Sequence, residues 1–164
     1  MEWTRQIGRY IIVMVLQVLL FNRLQMGGLC HPYIYVMCLL MMPITLSHSA
    51  DMLIGALVGL AMDVCCNSLG IHMAGCILLM FIRPYLIGVV VNDKDRLNEQ
   101  ISLRSIGFEA LVKYVVILVI LHHLTVFLLG AWSLSHIHFV LMETAVSSLI
   151  TILLIIGYNA ILYK

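Results

Sequence analysis

The sequence predicts an all-α integral membrane protein of about six transmembrane helices, forming a single domain over residues 1–164. Three observations carry that expectation. Hydrophobic residues make up 63% of the chain and charged residues 10%, with a mean hydropathy of +1.08, which is more apolar surface than a soluble domain of this size can hide. The apolar residues come in long runs without the alternation of half-buried strands, which favours helices over a barrel. Lys and Arg are sparse and gather in particular connectors.

A helix needs roughly 20 residues to cross the hydrocarbon, with about 17 to 25 as the working range. The first expected span, residues 7–21, includes Arg9 and follows Arg5. The "NRLQMGGLC" after it offers no convincing small-x-small cleavage site, so the span is read as retained rather than as a cleaved signal. The second, residues 33–46, is broken by Pro43, and the third covers residues 52–66. Both are short, which suits tilted, interrupted or neighbour-shielded segments. Residues 71–91, 108–129 and 136–158 complete the six, with five spans as the fallback count.

Orientation follows from the positive charges. With the N-terminus inside, the inner face collects Arg5, Arg9, Lys94, Arg96, Arg104 and Lys164, and the outer face Arg23 alone. An even span count then puts both termini in the cytoplasm, together with the polar connector over residues 92–105. In and beside that connector Leu97, Ile101 and Phe108 hint at an interfacial helix. It reads first as a solvated loop, with docking of a cytoplasmic partner as the sharper alternative.

Composition and motifs exclude several function classes. A net charge of +1 leaves no basic patch for nucleic acid. There is no P-loop, no G-x-S-x-G and no H-E-x-x-H, so neither a nucleotide motor nor a self-sufficient enzyme is indicated. Cys30, Cys38, Cys65, Cys66 and Cys76 form no C-x-x-C pair. The sets His122–His123 and His136/His138 lack a further ligand at fixed spacing, so no metal or cofactor is expected.

The informative stretch is "GALVGLAMDVCCNSLGIHMAG". Gly55, Gly59, Asp63 and Asn67 recur every four residues and share one helical face. The two glycines make a small-xxx-small surface that lets another backbone come close. An aspartate inside a span costs about 2.5–3.5 kcal/mol on insertion scales, so Asp63 should face protein or water. It reads first as a structural polar anchor, with an interaction face and a proton or ligand site as alternatives.

Arg83, followed by Pro84, is a second ionisable group within a span. Counting outward from a turn near Ser68–Leu69 offsets Asp63 from Arg83 by about nine residues, roughly 13 Å at 1.5 Å per residue. Asp51, or a carbonyl freed by Pro84, is therefore the expected partner of Arg83, and Arg23 the candidate for Asp63. The last span carries a polar stripe, Glu143, Ser147 and Thr151, with Thr144 and Ser148 beside it. Depth matching pairs Glu143 with His122, or with His123 one step round the helix. Both groups pointing into outer-leaflet water is the competing expectation.

From His31 to Leu86 the sequence resembles the rod-shape-determining membrane protein family MreD. The resemblance lies in "HPYIYVMCLLMMP" followed by the glycine-rich stretch, with Pro32, Pro43, Gly59, Asp63 and Leu69–Gly70 at the family's positions, and then "FIRPYL". It covers about a third of the chain, and the last two spans match only in hydropathy. The resemblance implies a fold similar to the substrate-binding component of energy-coupling factor transporters. It also implies a non-enzymatic scaffold of the bacterial cell-elongation machinery in the inner membrane. The implied partners are an MreC-like protein, a RodA-type glycosyltransferase with its transpeptidase, the MreB filament, membrane lipid and, as a further possibility, a second copy of the chain in a homodimer. The alternative is a small transporter or ligand-binding component using Asp63, Glu143 and the histidines around a polar cavity. The absence of a coupling ATPase signature and of an internal repeat counts against it.

Overall fold

Four long apolar helices set the architecture. The computed structural model describes residues 2–23, 30–44, 46–90, 106–131, 135 and 137–162, without the side chains of residues 2–6 and 162. Among these residues every regular element is helical: α1 (Glu2–Leu19), the short α2 (Val36–Leu40), α3 (His48–Cys66), α4 (Ile71–Val90), α5 (Phe108–Gly130) and α6 (Ile137–Leu162). The last four are long and apolar enough to cross a membrane, so the chain is a multi-pass membrane protein. The 92–105 connector, with its expected interfacial helix, lies outside the described residues, as does His136.

The helices pack in chain order, α3 on α4, α4 on α5 and α5 on α6. Their outward faces are lined with Leu, Ile, Val and Phe, among them Leu53, Leu57, Leu60, Val89, Leu149 and Leu153. Those side chains suit a hydrocarbon solvent. The buried interior holds Met62, Leu79, Met80, Leu111, Tyr114 and Leu118.

The α3–α4 hairpin is close because of its glycines. A methyl group on Gly59 would collide with the Met73 backbone, and one on Gly55 would lie 2.9 Å from the Cys76 carbonyl oxygen. The small-xxx-small surface therefore serves a helix of the same chain. Ser47 caps the start of α3 by accepting from the Ala50 N–H at 3.3 Å. Asn67 corrects one expectation: it does not continue the face of Gly55, Gly59 and Asp63. It ends α3 in the left-handed conformation (φ 54°) and is exposed, and Gly70 (φ 82°) completes the turn into α4.

The second expected span is corrected as well. Only Val36–Leu40 is helical, and residues 30–35 and 41–44 are irregular. This segment still runs through the bundle, from the α3–α4 turn end, where His31 meets Glu143, to the level of Arg83 on α4, beside Met42. Tyr35, Val36, Leu39 and Leu40 are completely or almost completely buried, so the broken backbone is wrapped in protein. Non-helical chain is tolerated at membrane depth only under that condition. The first span starts earlier than its hydropathy alone suggests: α1 begins at Glu2 and carries three charged residues, which sets it apart from the four most apolar helices.

Candidate functional site

Irregular backbone inside a bilayer needs hydrogen-bond partners that its own segment cannot supply. Side chains of four helices supply them here. On α1, Gln17 donates from Nε2 to the Pro32 carbonyl (3.2 Å) and accepts the Tyr35 N–H at Oε1 (3.3 Å), while the Tyr10 hydroxyl donates to the Met41 carbonyl (3.0 Å). On α6, Ser147 accepts the His31 N–H (2.9 Å) and Thr151 the Tyr33 N–H (3.2 Å). On α5, the Tyr114 hydroxyl donates to the Leu40 carbonyl (2.9 Å). On α4, Arg83 donates from Nη2 to the Met42 carbonyl. The polar stripe of the last span thus faces inward to hold the segment between Pro32 and Pro43, both of which are buried.

Arg83 does more than this. Its Nη1 donates to Asp51 Oδ2 at 3.0 Å and its Nε to the Tyr114 hydroxyl at 3.0 Å. The guanidinium is 1% exposed, so its charge is held by one carboxylate and two oxygen acceptors rather than by water. Asp51 is the partner expected from hairpin depth. The carbonyl is that of Met42, not one released within α4 by Pro84, which sits beside Arg83 in the helix.

Asp63 does not meet Arg23. Its carboxylate accepts the Ser68 hydroxyl (2.5 Å), the His72 N–H (3.0 Å) and the Met73 N–H (2.9 Å). It is thereby satisfied by the turn and by the first turn of α4. An anion in that place also meets the positive end of the helix dipole. The hairpin count correctly kept Asp63 away from Arg83 but overlooked the orphan N–H groups at the start of α4.

Glu143 is not bonded to His122 or to His123. Its Oε1 lies 2.8 Å from His31 Nδ1, an ion-pair separation, and both side chains are about one quarter exposed. His122 instead approaches the Tyr35 hydroxyl through Nε2 (2.9 Å), and His72 reaches the same hydroxyl through Nδ1 (3.0 Å). Cys76 Sγ is 3.6 Å away. His123 turns to the Val119 carbonyl and to Thr151. The adjacent histidines thus serve different neighbours. Among the described residues no three His, Cys, Asp or Glu side chains form a metal-holding group.

These contacts surround a cleft at the α3–α4 turn end. Two adjoining hollows of about 320 and 330 Å³ share His31, Tyr33 and His72. Glu143, Ser68 and Phe127 line one, and Asn22, Cys65 and Cys66 the other. Sequence reasoning missed Gln17, Tyr33, Tyr35, His72 and Tyr114. The one signal available was that each is a hydrogen-bonding residue within or beside an apolar run. Comparison with family models, with curated proteins and with solved structures returns no match to this chain.

Proposed function

We propose that this chain is a non-enzymatic, MreD-like scaffold of the bacterial inner membrane, with both termini cytoplasmic. It would join an MreC-like periplasmic protein and a RodA-type glycosyltransferase with its transpeptidase to the MreB filament. The observation that carries the reading is where the polar residues of the resembling stretch end. Arg83 and Asp51 bind each other and the broken segment, Asp63 binds the α3–α4 turn, and Gly55 and Gly59 seat α4. Groups committed to internal bonds suit a rigid framework better than they suit turnover. The Lys and Arg distribution supports the orientation.

The transporter-like reading counted Asp63 among its cavity residues, and Asp63 is occupied by the turn. The test is affinity capture of the tagged full-length chain from membranes of a rod-shaped host, with the co-purifying proteins identified. A coiled-coil periplasmic protein and a glycosyltransferase are expected. Capture of a transporter ATPase in their place would overturn the proposal.

A further inference from the structure

The Tyr35 hydroxyl has one proton and lies within hydrogen-bond distance of two ring nitrogens, His72 Nδ1 and His122 Nε2. It can donate to only one and must accept from the other. The remaining nitrogen of His122, Nδ1, is buried without a partner among the described residues. If Tyr35 donated to His122, the neutral ring would carry its proton on that orphan nitrogen, leaving a buried N–H unsatisfied. The better arrangement runs the other way. His122 Nε2–H donates to Tyr35, Tyr35 donates to His72 Nδ1, and His72 carries its proton on Nε2. His72 is only 4% exposed and lines both hollows of the cleft. The buried network therefore ends in a donor with no protein partner among the described residues.

Two further groups face that cleft with a polar atom for which no partner is described, the Tyr33 hydroxyl and Glu143 Oε2. Among the described residues the Tyr33 hydroxyl has no hydrogen-bond partner, and its ring stands 4.9 Å from His72 and 5.8 Å from Phe127, centroid to centroid. Glu143 uses Oε1 toward His31, and its Oε2 has no hydrogen-bond partner among the described residues. Among the described residues no Lys or Arg lines either hollow. Two hydrogen-bond donors, one carboxylate and aromatic walls, with no Lys or Arg among the described lining residues and the His31 imidazole set against Glu143 Oε1, discriminate against a bare anion. They fit a cation with an oxygen close by, the ammonium on Glu143 and against the aromatic rings, the oxygen on His72 and Tyr33.

We propose that this cleft binds an ethanolamine-type group, an organic ammonium two carbons from an oxygen. The group can arrive as a phospholipid headgroup or as a free small molecule. The site stands independently of the scaffold reading.

Two measurements on the full-length protein test it. In the first, protein in nanodiscs of equal phosphatidylethanolamine and phosphatidylglycerol is examined by native mass spectrometry for retained lipid. In the second, phosphoethanolamine is titrated into detergent-solubilised protein by calorimetry. Retention of phosphatidylethanolamine alone identifies the headgroup, and a saturable phosphoethanolamine signal identifies the free compound; either supports the site. Glu143→Gln should weaken the positive arm by about tenfold, the scale of one charge-assisted hydrogen bond. Tyr33→Phe, which keeps the ring, should weaken it by about threefold and serves if Glu143→Gln does not fold. Indifference between the two lipids together with no phosphoethanolamine signal overturns the proposal. So does binding that neither substitution changes.

Discussion

Arg83 Nη2 donates to the carbonyl oxygen of Met42, a residue 41 positions earlier in the chain. The bond ties α4 to a stretch of backbone that is not helical, and it gives a basic side chain in a membrane span a structural task. The neighbouring bond to Asp51 balances the charge. Removing Arg83 alone should therefore be severe, since it strands a buried carboxylate. For Arg83→Met the expected loss is about 3–5 kcal/mol. Adding Asp51→Leu should recover part of that loss. Recovery stays incomplete because the Met42 carbonyl loses its donor. Thermal unfolding in detergent of both single variants and the double checks it, and strict additivity would reject the coupling.

Glycine positions should split sharply. A Cβ at Gly59 meets Met73 backbone, which cannot turn aside as a flexible side chain would, so Gly59→Ala should destabilise by about 1–3 kcal/mol. A Cβ at Gly157 meets nothing within 4 Å, so Gly157→Ala should leave stability unchanged or raise it by about 0.5–1 kcal/mol. Melting curves for the two variants under one detergent condition decide.

Asp63→Leu removes the acceptor of two backbone N–H groups and one hydroxyl. A loss of about 1–3 kcal/mol is expected, with weaker capture of partner proteins following from the loosened hairpin. Asp63→Asn keeps one acceptor oxygen and should be milder. Normal cell shape at normal protein level with the Leu variant would show that this anchor is dispensable.

The Glu143–His31 contact calls for a double-mutant cycle. Glu143→Gln with His31→Gln should show a coupling of about 0.6 kcal/mol or more, the size found for intramembrane polar pairs. Glu143→Gln with His122→Ala should add within about 0.3–0.5 kcal/mol. The opposite pattern would restore the pairing expected from span depth.

Cys65 and Cys66 are exposed at the α3–α4 turn end, while Cys30, Cys38 and Cys76 are buried. If the positive-charge bias sets orientation, a membrane-impermeant maleimide added to intact cells whose outer layer has been made permeable should label Cys65 or Cys66. Labelling that needs lysis of the inner membrane would invert the topology.

Much of this fold is legible without coordinates. Long apolar runs announce the spanning helices α3 to α6, because a bilayer imposes length and hydropathy on any helix that crosses it. The α3–α4 hairpin is legible too, because a short turn makes depth a matter of counting. That is why Asp51 could be matched to Arg83 from sequence and why Asp63 could be kept apart from it. The depth count failed where it was applied to Glu143, since matched depth does not say which way two side chains face.

What only the tertiary structure decided is the company kept by residues 30–44. Their backbone partners lie on α1, α4, α5 and α6, as far as 118 residues away for Tyr33 and Thr151. Hydrophobic periodicity records how a helix faces its surroundings, but a non-helical segment has no period to record. Its need for hydrogen bonds is written elsewhere, in Gln17, Arg83, Tyr114, Ser147 and Thr151, whose purpose becomes readable only when the chain is folded around them. The physical reason is that the bilayer offers an open backbone no water, so distant helices must bring the partners.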